Sequence, residues 1–272
     1  MTSLHVALSI AGTDPTGGAG IMADLKSFQA RSVYGMAVVT SVVAQNTKGV
    51  QLIRHLDQEI LEEQLKSVFQ DIVPDAIKTG MLAQVETIEL VASYLAEQKC
   101  PYVLDPVMVA TSGDRLIEED AIQALKTKLL PLATIITPNL PEAEVLVGRT
   151  LKSENDIMNA GRWIRKELGV KNVVIKGGHL AKVASDYLFF EDGEVRIISA
   201  ARIATNHTHG TGCTLSSAIT SYLAREMDMN TAIAMAKTYL SGAILAGKDI
   251  KIGEGHGPVN HFYEPKSLFT KS

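Results

Sequence analysis

The feature that most constrains the fold is a regular alternation between short β-rich runs and stretches with helical spacing of apolar residues. The run HVALSI at residues 5–10 is followed by Ile21, Leu25 and Phe28, which recur at helical spacing, and the exchange continues along the chain. A series of strand, helix and strand builds a parallel sheet with helices on both faces. The sequence therefore predicts an α/β fold.

The later elements follow the same rule. Further predicted strands lie in the runs MAVVTSVVA, AIKTGM, YVLDPVM, TIITPN and NVVIKGG. Helices are predicted around Leu61 to Ile72, near 84–98, near 118–129, near 212–226 and near 230–247.

Two local signals add detail to this pattern. Ser153 and Asp156 have the spacing of a capping box, which predicts the start of a helix that ends near Leu168. Asp192-Gly193 stands between two β-rich runs, which predicts a hairpin with a type I′ turn and one antiparallel excursion in the sheet.

Length and charge limit the class of protein. The 272 residues show no repeat, no low-complexity linker and no break in composition, so we expect a single domain over 1–272. A formal charge of −4 provides no basic surface for nucleic acid or an anionic membrane, and no apolar run reaches the roughly 18 residues of a membrane span. Two cysteines, Cys100 and Cys213, cannot build a disulfide framework. We therefore expect a cytoplasmic protein with a small-molecule partner.

Polar or glycine-rich runs follow seven of the predicted strands. In an open parallel sheet, ligands bind at the carboxyl ends of the strands. The runs that reach this edge are AGTDPTGGAG, AQNTKG, KTGML, LDPVM, TPNLPEAE, KGGH and THGTGC. Their accumulation at one edge predicts a ligand site there.

The stretch THGTGCT at residues 208–214 carries the most specific signal. Its glycines allow a tight turn, and the apolar helix that follows presents unpaired N–H groups to an anion, which favours a phosphate site. The alternative is an ordinary glycine turn capped by Thr211.

Several blocks together resemble the ribokinase-like small-molecule kinases, and within them the hydroxymethylpyrimidine and phosphomethylpyrimidine kinases of thiamine biosynthesis. The resemblance covers essentially the whole chain. The blocks are GGAGIMADLKSF (17–28), YGMAVVTSVVAQNTKGV (34–50), KTGML (78–82), LDPVM (104–108), TPNLPEAE (137–144) and HGTGCTLSSAI (209–219). The resemblance implies a three-layer α/β/α fold with a mostly parallel central sheet and a hairpin addition.

The resemblance also implies catalytic roles in the 208–214 stretch. The backbone amides of Gly210, Thr211 and Gly212 would hold the phosphoryl charge, and Cys213 would activate the acceptor hydroxyl where relatives use aspartate. Because a helix N-terminus lowers the pKa of a thiol, we expect a thiolate at neutral pH. The alternative for Cys213 is a packing role behind the loop. His209 would orient the turn or contact phosphate.

For the nucleotide, the resemblance implies ATP and Mg²⁺. Asn139 and Glu142 match an Asn-x-x-Glu motif that holds Mg²⁺ and the triphosphate largely through water, and Asp105 would assist, so Asp105 and Glu142 are the candidate metal residues. Lys176 would approach the phosphates and Lys237 would line the adenine edge. Without the resemblance, Asn139 is an ordinary helix N-cap, Asp105 a turn residue, and both lysines solvated side chains.

For the acceptor, the resemblance points to Gln45, whose amide both donates and accepts hydrogen bonds and so suits an aminopyrimidine edge. Gln45 is otherwise a loop-stabilising residue. The remaining pocket residues would be Gly12, Asp14, Ala19, Met81 and Val107. The implied substrates are a pyrimidine alcohol and its monophosphate, and the implied assembly is a homodimer.

Three other functions compete with this interpretation. Pyridoxal kinases share most of the blocks but tend to carry a second cysteine after the Asp-Pro-Val-Met block, where this chain has Ala110. A hydrolase using Cys213 and His209 lacks a G-x-S-x-G elbow. A non-catalytic nucleotide-binding regulator would not need Asp105, Asn139, Glu142 and Cys213 together.

Overall fold

A computed structural model describes residues 3–108, 117–177, 183–268 and 271. The strands are β1 (Val6–Ala11), β2 (Tyr34–Val39), β3 (Ser41–Asn46), β4 (Gly49–His55), β5 (Ala76–Thr79), β6 (Tyr102–Leu104), β7 (Ile135–Ile136), β8 (Asn172–Lys176), β9 (Val183–Phe189) and β10 (Val195–Ala201). The helices are α1 (Gly20–Ala30), α2 (Gln58–Asp71), α3 (Val85–Leu95), α4 (Glu119–Ala124), α5 (Leu140–Val147), α6 (Glu154–Glu167), α7 (Thr211–Ala224) and α8 (Met229–Gly247). Ala110 and His179 lie outside the described residues.

The main sheet has eight strands in the order β10-β9-β8-β7-β6-β5-β1-β2. Neighbouring strands from β2 to β8 pair in parallel, whereas β9 is antiparallel to both β8 and β10. The predicted mostly parallel sheet with one antiparallel excursion is confirmed. The carboxyl ends of the parallel strands consequently meet at one edge.

Helices cover both faces of the sheet because its strands bury both sets of alternate side chains. One core packs helices α2 to α6 against the strand residues Leu8, Ile77, Leu104 and Ile136. The other packs α1, α7 and α8 against their chain neighbours Ala7, Ala76, Val103 and Ile135. The three-layer α/β/α arrangement is confirmed.

The Asp192-Gly193 hairpin is present, but its turn is not type I′. A type I′ turn needs positive φ at both central residues. Gly193 has φ +91°, whereas Asp192 is not among the residues with positive φ. The Phe190 carbonyl accepts from Gly193 N–H at 2.9 Å and Phe190 N–H donates to Glu194 at 2.9 Å, as in a three-residue hairpin loop whose last residue is a left-handed glycine.

The predicted strand MAVVTSVVA is in fact two strands. The chain leaves the main sheet after Val39, and β3 pairs with β4 in a separate two-stranded antiparallel sheet. Thr40 N–H donates to the carbonyl of Ala11 at 3.0 Å, and Thr13 N–H donates to the carbonyl of Ser41 at 2.9 Å. This small sheet therefore stands directly over the loop that follows β1.

Local signals fixed the helix boundaries closely. The Ser153 and Asp156 capping box is present, and α6 ends one residue before Leu168. The predicted helix near 118–129 is α4 continued by a π-helical turn at Leu125–Leu129.

Among the residues that the structure describes, no helix combines the length and the apolar character that crossing a bilayer requires.

Candidate active site

The stretch at 208–214, which the sequence predicts to bind phosphate, contains the start of α7. Gly210 is the N-cap residue in a left-handed conformation, with φ +79°, and it offers no side chain to accept from the first helical amides. An α-helix leaves its first N–H groups without partners inside the helix. The amides of Gly212 and Cys213 can therefore donate to an anion. The alternative of a turn capped by Thr211 is wrong, since Thr211 is already the first helical residue.

Gly210 is also required by a close approach between two loops. A Cβ atom added to Gly210 would lie 1.7 Å from the carbonyl oxygen of Gly18, in the loop between β1 and α1. Only a residue without a side chain permits this contact. The loop after β1 and the start of α7 are therefore in backbone contact.

Asp14 ties the same two loops together by hydrogen bonds. Its carboxylate accepts from the backbone N–H groups of Thr16, Gly18 and Ala19 at 2.9, 3.2 and 2.8 Å. It also lies 2.7 Å from Nε2 of His209, at the start of the glycine turn. Asp14 therefore shapes the loop, and His209 orients the turn against it.

The predicted acceptor residues gather around Asp14. Burial tends to raise the pKa of the Asp14 carboxyl, but hydrogen bonds from His209 and Gln45 outweigh it and hold the pKa well below its usual range. Gln45 comes from β3 of the small sheet. A Cβ added to Gly12 would lie 2.7 Å from Cε of Met81, which places the ends of β1 and β5 in contact.

Of the two remaining acceptor candidates, Ala19 belongs to the Asp14 loop, whereas Val107 lies next to Asp105. Ala19 is the N-cap residue of α1, with its N–H on Asp14. Val107 follows β6, where its N–H donates to the carbonyl of Asp105 at 2.8 Å.

The nucleotide-side candidates converge on Asp105, which follows β6 and is 2% exposed. Its oxygens accept from the hydroxyls of Thr137 and Ser216 at 3.2 Å each, and Nζ of Lys176 lies 3.3 Å away. A Cβ added to Gly212 would be 3.3 Å from that Nζ. Asp105 and Lys176 therefore lie beside the amides at the start of α7, and Lys176 is an ion-pair partner rather than a solvated side chain.

Asn139 and Glu142 form a capping box at the start of α5. The side chain of Asn139 accepts from Glu142 N–H at 2.9 Å, and the Glu142 carboxylate accepts from Asn139 N–H at 2.7 Å. The structural interpretation of Asn139 as an N-cap is therefore confirmed. The buried Glu142 carboxylate also accepts a hydrogen bond from Met108 N–H and lies in the field of Lys176 and Asp105.

The charges of this cluster are strongly shifted. Burial raises the pKa of Glu142 to about 7 against the opposing field of Lys176, with the Asp105 charge adding to the rise. Burial also penalises the Asp105 carboxylate, but the ammonium groups of Lys176 and Lys78 lower its pKa below the ordinary value. Asp105 is therefore ionised at neutral pH, and Glu142 carries a proton for part of the time.

These carboxylates fit Mg²⁺. Their oxygens are hard ligands, and Mg²⁺ in kinases uses one or two protein carboxylates while keeping waters and substrate phosphates. The raised pKa of Glu142 comes mainly from burial, and a bound cation would favour the ionised form of this carboxyl. No group of three potential metal-ligating side chains occurs within the described ranges.

Cys213 is a free thiol in a partly exposed residue of the first turn of α7. Burial raises its pKa to about 12, and the nearby Lys78 ammonium and a hydrogen bond from Gly20 N–H offset this only in part. The expected thiolate at neutral pH is therefore wrong for this structure. The helix terminus is present, but desolvation and the charges of Asp24 and Asp105 outweigh it.

Lys237 extends from α8 to form an ion pair with Asp186 of β9, whose other oxygen accepts from Gly177 N–H at 3.2 Å. Gly177 directly follows Lys176 at the end of β8. Lys237 is thus tethered beside the nucleotide-side cluster rather than solvated.

A buried ion pair under this site has no counterpart among the sequence-based candidates. Nζ of Lys78, in β5, lies 2.6 and 2.7 Å from the two carboxylate oxygens of Asp24, in α1, and both residues are fully buried. The available signal was a lysine in the strand run AIKTGM, at a position where a buried strand carries apolar residues.

Comparison with known proteins finds relatives that match nearly the whole chain. The phosphomethylpyrimidine kinase family model matches residues 14–260. A Staphylococcus aureus protein named hydroxymethylpyrimidine/phosphomethylpyrimidine kinase is 54% identical over 265 residues, which cover 96% of this chain and 95% of that protein.

Two solved structures are similar over most of the chain. The ADP complex of Bacillus subtilis pyridoxal kinase has a TM-score of 0.88 at 39% identity and covers 96% of this chain and 98% of its own. Phosphomethylpyrimidine kinase from Clostridium difficile 630 has a TM-score of 0.78 at 41% identity and covers 88% and 99%. The match to the family model over residues 14–260, together with 54% identity to a relative over nearly the whole length of both chains, shows that this chain belongs to the phosphomethylpyrimidine kinase family.

Proposed function

We propose that this protein transfers the γ-phosphoryl group of ATP to the hydroxymethyl oxygen of 4-amino-5-hydroxymethyl-2-methylpyrimidine, and then phosphorylates the monophosphate so formed. The observation that carries the proposal is the backbone contact between Gly210 and Gly18. It sets the phosphate-binding amides of α7 against the loop of the acceptor candidates. Family membership supplies the substrate class.

The two sides of the site divide the work. Asp105 and Glu142 would hold Mg²⁺ largely through water, and Mg²⁺ when bound neutralises triphosphate charge. Lys176 would contact the phosphates, with Lys237 toward the adenine. The ADP complex of the related pyridoxal kinase supports use of an adenine nucleotide. Catalysis of phosphoryl transfer rests mainly on positioning and charge stabilisation, which the amides of Gly212 and Cys213 provide.

The acceptor side aligns the hydroxyl. Gln45 would read the aminopyrimidine edge, within a pocket shaped by Gly12, Ala19, Met81 and Val107, while Asp14 holds the loop. As the bond from the acceptor oxygen to phosphorus forms and the bond to the ADP oxygen breaks, the hydroxyl proton passes to the thiolate form of Cys213. Because burial raises the pKa of Cys213 to about 12, this form is scarce at neutral pH and grows with rising pH.

Pyridoxal kinase is the second candidate, and the structural similarity to Bacillus subtilis pyridoxal kinase favours it. A panel of acceptors in an ATP-consumption assay separates the two. We expect turnover with the pyrimidine alcohol and with its monophosphate. An enzyme that ignores the monophosphate but phosphorylates pyridoxal would reassign the function, and ATP consumption with no acceptor in the panel would contradict both.

The assembly and location are part of the same proposal. Val42 and Leu52 are 52% and 49% exposed on the small β3–β4 sheet, which supports a homodimer through this face. Sedimentation velocity of the native chain and of Leu52→Glu tests it, with a shift to monomer expected. Both cysteines are free thiols, which supports a cytoplasmic location.

A further inference from the structure

The buried Lys78–Asp24 ion pair lies directly beneath Cys213 because α1 and α7 run side by side. Gly20 N–H, at the first residue of α1, donates to the sulfur of Cys213. One turn further along both helices, the hydroxyl of Ser217 donates to Oδ1 of Asp24 at 2.6 Å. Four helical residues span about 6 Å, so Asp24 is held about one turn below the thiol.

Lys78 reaches Asp24 from β5, one helical turn below the thiol of Cys213. Its Nζ bonds both oxygens of Asp24, and the hydroxyl of Ser9 donates to Oδ2 at 2.6 Å. Among the described residues, the Lys78 ammonium donates its hydrogen bonds to Asp24. A Cβ added to Gly80 would lie 3.5 Å from Nζ, so the ammonium reaches the carboxyl edge of the sheet.

Among the described residues, charged groups of both signs influence Cys213. Lys78 and Lys176 are the cations, and Asp24 and Asp105 are the anions. Lys176 and Asp105 belong to the nucleotide-side cluster. Within the described part of the chain, the hydrogen bonds of the Lys78–Asp24 pair to other side chains come from Ser9 and Ser217, which are neither nucleotide nor acceptor candidates.

We propose that Lys78 and Asp24 are positioning residues for Cys213, a buried ion pair that sets the electrostatic field in which the cysteine exchanges the acceptor proton. The catalytic meaning rests on the proposed function, because it assumes that Cys213 receives that proton. The field itself does not depend on the reaction. Lys78 favours the thiolate, and Asp24 opposes it.

Removal of Lys78 and removal of Asp24 should therefore have opposite effects on the thiolate of Cys213. Lys78→Met removes the cation and disfavours the thiolate, whereas the isosteric Asp24→Asn removes the anion and favours it. Since the thiolate is the nucleophile, the alkylation rate at a fixed pH below the pKa follows its fraction. A buried unit charge a few ångströms away is worth about one pKa unit or more, which is at least about tenfold in rate, and we expect this for Lys78, whose influence on Cys213 is the larger; the weaker influence of Asp24 corresponds to at least about threefold.

The experiment measures iodoacetamide alkylation of Cys213 by mass spectrometry between pH 7.5 and 10, without substrate. Every variant carries Cys100→Ser, which removes the other thiol. We expect Lys78→Met to slow alkylation by at least about tenfold and Asp24→Asn to accelerate it by at least about threefold. The double variant should fall between Lys78→Met and the parent, because the Lys78 field is the larger at Cys213.

A purely structural role predicts another pattern, since loosening the packing exposes the thiol and accelerates alkylation in every variant. If one of the three variants does not fold, the alkylation rates of the other two are compared with that of the parent. The expected order of rates applies to these as well, and a reversed order would overturn the proposal. Shifts of both single variants in the same direction, or no shift, would overturn the proposal. Because the assay does not involve ATP, absence of kinase activity in the parent would refute the proposed function without affecting this result.

Discussion

The contact between Gly210 and Gly18 allows one prediction to be worked through from the structure. Replacing Gly210 by alanine has two separate costs. A residue with a side chain at φ +79° is strained by roughly 1–2 kcal/mol. In addition, the new Cβ would start 1.7 Å from the Gly18 carbonyl oxygen, whereas real Cβ contacts stay beyond 3.0 Å.

Relief of this clash requires the two loops to separate by more than 1 Å, because the contact atom is backbone. Overpacking of this kind costs a further 1–3 kcal/mol, roughly. A displacement of about 1 Å between phosphate site and acceptor lowers turnover on the order of 10²-fold. We therefore expect Gly210→Ala to lose about 2–5 kcal/mol of unfolding free energy and about two orders of magnitude in kcat for both phosphorylation steps.

Gly148 provides the matched control. It ends α5 at φ +70°, but an added Cβ would meet nothing within 4 Å. Gly148→Ala should therefore lose only the roughly 1–2 kcal/mol of backbone strain, with kcat within about twofold of the parent. Urea unfolding and initial rates with a working acceptor measure both quantities. If Gly210→Ala matched Gly148→Ala in stability and kept kcat within about threefold, the reasoning from loop contact would be refuted.

Four further predictions concern the proton, the metal and the fold. Cys213→Ala should lower the rate with the alcohol by at least ~10²-fold. The rate with the monophosphate should fall much less, because that acceptor is already ionised near neutral pH. Equal losses in the two initial rates, measured separately, would contradict the assignment of Cys213 as the base. Because the Cys213 pKa is raised to about 12, the parent's rate with the alcohol should rise with pH from 7 to 10, whereas its rate with the monophosphate stays flat over the same range, and parallel pH profiles would argue against this proton route. Glu142→Gln keeps an acceptor for Asn139 N–H and should raise the Mg²⁺ concentration needed for half-maximal rate, while an effect confined to the acceptor KM would place the motif elsewhere. Gly161→Ala should destabilise by about 1–3 kcal/mol in urea unfolding, because its Cβ would lie 2.1 Å from the Phe189 ring, although alanine is the better helix former; an increase in stability would show that the ring moves freely.

Charge at the site illustrates how local reasoning reached its limit. The helix terminus beside Cys213 was visible in the sequence and argued for a low pKa. Desolvation and two carboxylates from α1 and the end of β6 set the opposite direction. These groups are about 190 and 110 residues away along the chain, so no spacing rule near Cys213 reveals them.

The sequence by itself determined the order of strands and helices, the sheet edge at which most of the candidate residues meet, and the Ser153 capping box. Each of these depends on periodicity or on contacts within a few residues, so it can be predicted from short stretches of sequence. Only the tertiary structure decided the departure of β3 from the main sheet, the turn type at Asp192, the Gly210 to Gly18 contact and the Lys78–Asp24 pair. These depend on which distant backbones meet and on how much water is excluded between them, and both follow from packing of the whole sheet and its two helical layers.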